Sequence, residues 1–128
     1  MHPKITPLNF TYKKDDSDVW VLNTDDIPID KSLIKDQQFV HLAPLSVGGN
    51  HKHPRIEWFV AVGDLEFIWF DVNGEKKSTE MNPNGELLLI EVPPYLPHAV
   101  RNISETRIGI LFEFADGKMK HVEKVPVA

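Results

Sequence analysis

From Gln37 onward, glycine, proline and asparagine cut this sequence into runs of strand length, and no stretch sustains a helical period with caps. Phe39 to Val47 is apolar and β-branched and is expected to end at Gly48-Gly49, and Glu57 to Val62 stops at Gly63. Leu65 to Val72 is rich in aromatics and closes at Asn73-Gly74, a strong signal for a tight hairpin. Glu75 to Met81 reads as a polar return strand, followed by a turn at Asn82-Pro83-Asn84-Gly85. Leu87 to Val92 is apolar except for Glu91 and ends at Pro93-Pro94. His98 to Ile103 and Thr106 to Phe114 form a pair around Ser104-Glu105, and Asp116-Gly117 turns the chain into a last strand, Lys118 to Val125. Ile108, Ile110, Phe112 and Phe114 alternate with Arg107, Gly109, Leu111 and Glu113, the period of a strand with one well-buried face. So many closely spaced strands in 128 residues indicate an all-β sandwich, jelly roll or closed barrel.

The length suits one domain, and 41% hydrophobic residues suffice for a core without covalent staples. Residues 1–36 read as a polar N-terminal arm punctuated by Pro3, Pro7 and Pro28, with one strand-like stretch at Val19-Trp20-Val21-Leu22; residues 37–128 form the β-domain. Cysteine is absent, which excludes disulfides, cysteine-ligated metals and a cysteine nucleophile and fits a reducing cytoplasm. The first residues carry no apolar leader, and Leu87-Leu88-Leu89-Ile90 is far too short to span a bilayer, so neither a signal peptide nor a membrane partner is expected. With a net charge of −5 and scattered Lys and Arg, the chain lacks the basic footprint of a nucleic-acid binder. A small molecule is the expected partner.

The segment Gly48-Gly49-Asn50-His51-Lys52-His53-Pro54-Arg55-Ile56-Glu57 carries the chemistry. His51 and His53 are two apart, so an extended strand turns both imidazoles to one side. Pro54 and Arg55 suit a turn, after which Glu57 begins the next strand beside them. Two imidazoles and a carboxylate can occupy one face of a metal and leave other positions open. A third imidazole, His98, follows the stiff approach Pro93-Pro94-Tyr95-Leu96-Pro97.

These two segments resemble the paired motifs of the cupins. The first is similar to a glycine, a short spacer, His-x-His, a few residues, Glu and a closing glycine, met here by His51, His53, Glu57 and Gly63, with the last spacer one residue short. The second is similar to a proline, a turn, a histidine and an asparagine four residues on, met by Pro93, His98 and Asn102. Tyr95 stands where a glycine is common, and Gly85 lies two residues further upstream than usual. The resemblance covers residues 43–102 and implies a jelly-roll (double-stranded β-helix) barrel. In its mouth His51, His53, Glu57 and His98 would hold one divalent ion: iron, manganese, nickel, zinc or copper. It also implies a homodimer, with the arm exchanging strands between subunits.

Three functions follow as expectations. The first is a metal-dependent enzyme acting on a small polar metabolite, with Tyr95 or Glu66 as acid or base. The second is a sugar-nucleotide isomerase or epimerase like the small cupins of deoxysugar and capsule biosynthesis, using the His-x-His pair as acid and base. Glu57 argues for metal instead, because that mechanism has no use for a third ligand. The third is a non-catalytic sensor or carbohydrate-binding module anchored on the metal. Without Glu57 and His98, His51 and His53 would read as surface histidines by a turn. Asn102 is expected to tie down a turn. His2, His41 and His121 are expected at the surface or in packing, and Trp58, Phe59, Phe67, Trp69, Phe70, Phe112 and Phe114 in the core. Arg55 and Arg101 could touch substrate, with a structural role the better expectation.

Overall fold

A computed structural model describes residues 1–128. Twelve strands and three single-turn 3-10 segments, Thr24–Asp26, Lys31–Leu33 and Pro83–Gly85, account for its regular structure. The strands are β1 (Lys4–Pro7), β2 (Tyr12–Lys13), β3 (Trp20–Val21), β4 (Asp36–Leu42), β5 (Val47–Lys52) and β6 (Glu57–Val62). They continue as β7 (Leu65–Phe70), β8 (Lys76–Glu80), β9 (Leu88–Val92), β10 (His98–Asn102), β11 (Gly109–Ala115) and β12 (Glu123–Lys124). One antiparallel sheet runs β1-β9-β6-β11-β4 and the other β12-β5-β10-β7-β8, while β2 and β3 form a small ribbon in the arm. No helix is long and apolar enough to cross a membrane.

Two apolar layers explain the sequence pattern. Between the sheets, Leu42, Phe59, Ala61, Leu65, Phe67, Ile90, Val92, Val100 and Leu111 form the main core. On the outer face of the first sheet, Leu8, Ile27 and Ile29 of the arm cover Trp58, Val60, Leu87 and Leu89. A strand buried on both faces loses the polar half of its alternation. That is why β6 after Glu57 and β9 apart from Glu91 read as apolar runs. The arm is stitched down by β1, which pairs Ile5 with Ile90 and Thr6 with Leu89 on its own barrel.

Four sequence expectations change. His98–Ile103 and Thr106–Phe114 do not pair around Ser104-Glu105: the connection crosses between the sheets, so β10 pairs with β5 and β7 and β11 with β4 and β6. The chain turns at Ala43 to Ser46, not at Gly48-Gly49, and both glycines lie inside β5. The last strand shrinks from Lys118–Val125 to Glu123–Lys124. In β11 the buried face is Gly109, Leu111, Glu113 and Ala115, and Phe112 is 38% exposed rather than in the core. The bulkier set, Ile110, Phe112 and Phe114, faces outward, where the arm covers only part of the sheet; Phe114 packs there against the outer cluster and Phe112 stacks edge-on against Phe39.

The turns that aim the site are held by side chains. Asn102, fully buried, donates to the carbonyls of Leu42, Ala43 and Arg107 and accepts from the Ser104 amide, as its expected turn-tying role requires. Replacing it by alanine strands several polar groups at once, at a cost of about 3 kcal/mol. Asn102→Ala is expected to lower the melting temperature by about 10 °C, measured by calorimetry.

Candidate metal centre

Each sheet contributes to one cluster. His51 on β5 lies opposite His98 on β10 in the second sheet, and Glu57 opens β6 in the first. Register shifts between His98 and Ala99: His98 faces His51, but Ala99 faces Gly49, so Asn50 is the extra residue of a β-bulge. Gly49 (φ +87°) and Asn50 (φ 57°) both take left-handed backbone, the conformation that glycine and asparagine adopt at least cost. A Cβ on Gly49 would stand 3.0 Å from the His98 carbonyl oxygen, so the close approach also calls for glycine. The bulge re-aims His51, and the chain end locks it. The Asn50 side-chain oxygen accepts from the Val127 and Ala128 amides, and the Asn50 carbonyl accepts from Val125.

The three imidazoles form a nearly equilateral triangle. Ring centroids are separated by 4.9 Å (His51–His53), 5.0 Å (His51–His98) and 5.2 Å (His53–His98), with planes 65°, 77° and 84° apart. One ligand atom from each histidine and from Glu57 falls within 4.8 Å of all the others. His53, Glu57 and His98 are buried and His51 is half-buried. The His98 Nδ1–H donates to the Leu96 carbonyl at 2.8 Å, which fixes the tautomer of the neutral ring and turns its Nε2 toward the cluster. That Nε2 lies 3.2 Å from Glu57 Oε1, and His53 Nε2 lies 3.0 Å from the same oxygen. None of these three atoms has a properly directed hydrogen-bond partner. Buried nitrogen and oxygen atoms that face one another without a directed hydrogen bond are costly unless a positive charge, a proton or a metal ion, lies among them. A divalent cation meets that need, and the donor set of three imidazoles and one carboxylate fits it.

Behind Glu57 sits a charge network that sequence reading did not assemble. Arg55 is buried and uses all five of its N–H donors. Nε and Nη2 bind Glu57 Oε2 at 2.9 and 2.6 Å, Nη2 binds Glu113 Oε1 at 2.6 Å, and Nη1 binds Asp36 Oδ2 at 2.8 Å and the Gly117 carbonyl at 3.1 Å. Arg55 is thus structural, and substrate contact is ruled out by its committed donors. Glu113 was missed; its signal was a charged residue on the Gly109 and Leu111 face of an apolar strand.

One guanidinium faces three carboxylates, so they cannot all ionise cheaply. Burial opposes ionisation of Glu57, but the ring nitrogens of His53 and His98 and the Glu113 carboxyl outweigh it and hold Glu57 well below the ordinary carboxylate range. Glu113 goes the other way: burial first, then hydrogen bonding to Glu57 and its charge, push it up to about 9 against the pull of Arg55. His51 is lowered to about 4, by burial first and then by repulsion from His98 and His53, so its imidazole is neutral at pH 7 and free to ligate.

A cavity of about 210 Å3 opens onto His51, Glu57, His98 and Glu113, walled by Val40, Leu42, Phe59, Val100 and Leu111 and rimmed by Gln38 and Met119. Tyr95 and Glu66 do not line it. Tyr95 is 53% exposed in the turn before β10, where its amide donates to the His53 carbonyl. Glu66 pairs with Arg101 on neighbouring strands at 2.8 Å, on the positions that alternate with the inward Phe67 and Val100. His2, His41 and His121 are exposed and stand outside the cluster.

No family model matches the chain, and no curated protein does so either. Solved structures do match. A dTDP sugar isomerase from Desulfovibrio desulfuricans G20 superposes with a TM-score of 0.71 at 13% identity, covering 98% of this chain and 84% of that one. A variant of the 3,4-ketoisomerase QdtA from Thermoanaerobacterium thermosaccharolyticum, in complex with TDP-4-keto-6-deoxyglucose, gives 0.63 at 15% identity, covering 91% and 83%. The capsular polysaccharide assembling protein CapF from Staphylococcus aureus gives 0.61 at 18% identity over 71% of this chain, which spans only 27% of CapF. The shared architecture establishes the all-β cupin jelly roll as the fold of this chain.

Glu113→Gln tests the charge network. The native Glu113 carboxyl keeps its proton up to about 9, whereas the unfolded chain releases it in the ordinary carboxylate range, so this group's contribution to wild-type stability falls as pH rises between them. In urea unfolding the stability of Glu113→Gln relative to wild type is expected to climb between about pH 5 and about pH 9 and then level off. A pH-independent difference would contradict the assignment.

Proposed function

We propose that this chain is a metal-dependent enzyme that takes a small polar molecule into the cavity beside His51, His53, Glu57 and His98. The observation that carries the reading is the set of buried, partnerless donor atoms on His53, Glu57 and His98 aimed at one another. When bound, a divalent ion supplies Lewis-acid polarisation of a carbonyl or hydroxyl oxygen. The rest is done by the chain itself. Val40, Leu42, Phe59, Val100 and Leu111 exclude water from the space around the reacting group, and Gln38 offers an amide at the rim to orient it. Glu113 presents a protonated carboxyl to the same cavity at neutral pH.

The similarity to isomerases of TDP-linked sugars favours a second, narrower reading, in which the molecule is the sugar end of a sugar nucleotide. Size and charge constrain it. About 210 Å3 falls below the ~300–1,000 Å3 typical of pockets that enclose drug-sized ligands. Neither lysine nor arginine lines the cavity, so a pyrophosphate would find no cationic partner inside. Such a substrate would insert its sugar and leave the nucleotide at the mouth. An imidazole with a pKa of about 4 is also a weak general base at pH 7, which supports His51 as a ligand over His51 as the proton acceptor.

Protein purified without tag or chelator is expected to carry about one divalent ion per chain by elemental analysis, and His98→Ala to bind it at least about 100-fold more weakly, beyond the usual effect of an outer-shell change. Absence of metal after incubation with manganese, nickel, zinc and ferrous iron would refute the reading. For the narrower one, metal-loaded protein in deuterated water is expected to place deuterium on the carbon next to the carbonyl of TDP-4-keto-6-deoxyglucose, read by NMR. Unlabelled sugar beside a fully metal-loaded protein would exclude that substrate.

A further inference from the structure

The Arg55 fork holds one carboxylate oxygen of Glu57 and leaves the other alone with the imidazoles. Its Nε and Nη2 both bind Oε2, at 2.9 and 2.6 Å, while Oε1 receives no directed hydrogen bond and lies 3.0 and 3.2 Å from the ring nitrogens of His53 and His98. An unconstrained carboxylate can turn and offer either oxygen, or both, to a cation. Here the turn is blocked, because rotating Glu57 would break two charge-assisted bonds and leave a buried guanidinium short of partners. The fork cannot move aside either. Its remaining donors are held by Glu113 on β11, Asp36 on β4 and the Gly117 carbonyl just after β11, and Asp36 is itself pinned by Lys118 at 2.9 Å.

We infer that Arg55 is a positioning residue that makes Glu57 a one-oxygen ligand and ties the closing segment at Gly117 and Lys118 to the metal site. This rests on the metal-centre reading above. It assigns Arg55 no contact with substrate. It also explains why an arginine rather than a lysine stands at this position: only a planar fork with five donors reaches Glu57, Glu113, Asp36 and Gly117 together, whereas an ammonium has three. Met119, two residues beyond Gly117, lines the cavity, so the same clamp helps place one wall of the binding space.

Cobalt(II) is the probe, because its visible absorption reports coordination number without any turnover. The Arg55→Lys variant keeps the charge and loses the fork. It is expected to bind Co2+ about 10–100-fold more weakly than wild type, with weakened visible bands as Glu57 swings to offer both oxygens. Wild-type affinity and an unchanged spectrum in a folded Arg55→Lys protein would overturn the inference and leave the metal site standing. Failure of the wild type to take up Co2+ would overturn the metal site itself, and the inference with it. Should Arg55→Lys not fold, the pair Arg55→Gln with Glu113→Gln removes one charge of each sign and is read in the same way. Difference infrared spectra of the wild type against Glu57→Gln decide independently of any Arg55 variant. A wide separation of the Glu57 carboxylate stretches on Co2+ binding marks one-oxygen ligation, and a narrow separation marks two-oxygen ligation and overturns the inference.

Discussion

Glu57 is the point on which the two halves of the molecule meet. One of its oxygens belongs to the Arg55 network and the other to the imidazole triangle. Burying a carboxylate in a protein core costs several kcal/mol unless its charge is answered on every side. Arg55 answers one side. The other faces the ring nitrogens of His53 and His98 at 3.0 and 3.2 Å, where a positive charge lying among the three imidazoles would answer it. On the proposed reading, a bound divalent ion would stabilise this arrangement before any question of catalysis arises.

The barrel exists in the form it does to hold these parts at fixed separation. His51 and His98 come from paired strands of one sheet, Glu57 from the other, and the core between them sets the distance. Phe67 stacks on the His98 ring at 5.9 Å with planes 23° apart, and Phe59 closes in at 6.0 Å, so the imidazole has little freedom to swing. The bulge at Asn50 turns His51 into the same space, and the C-terminal residues fasten the bulge. Placement of this kind carries the ordering entropy in the fold rather than at the moment of binding.

Much of this was legible in the residues alone. The strands from Glu57 to Val62 and from His98 to Asn102 fall where turn chemistry put them, because Gly63 and the Pro93–Pro97 approach punctuate the chain locally. His51, His53 and Glu57 lie together as the His-x-His spacing and the following glutamate implied, and His98 joins them as the motif resemblance implied. What local pattern could not carry was tertiary. Which face of β11 turns inward depends on the arm covering the opposite side, so the larger side chains Ile110, Phe112 and Phe114 proved a misleading guide. Gly48-Gly49 looks like a stop signal in isolation, but a paired strand with a bulge uses the same left-handed freedom to continue. Tyr95 and Glu66 were chosen for their chemistry near the motifs, yet a turn and an outward strand position carry them away from the cavity. Glu113 shares the cavity with Glu57 although 56 residues separate them in sequence, since β6 and β11 are neighbours in one sheet.

The central claim is that the buried donors of both sheets share one ion. Diffraction from crystals soaked in zinc, recorded on either side of the zinc absorption edge, addresses it without reference to any substrate. The account requires a single strong anomalous peak inside the triangle of imidazoles and within bonding distance of Glu57 Oε1. An absent peak, or one bound only to exposed carboxylates on the surface, would contradict it.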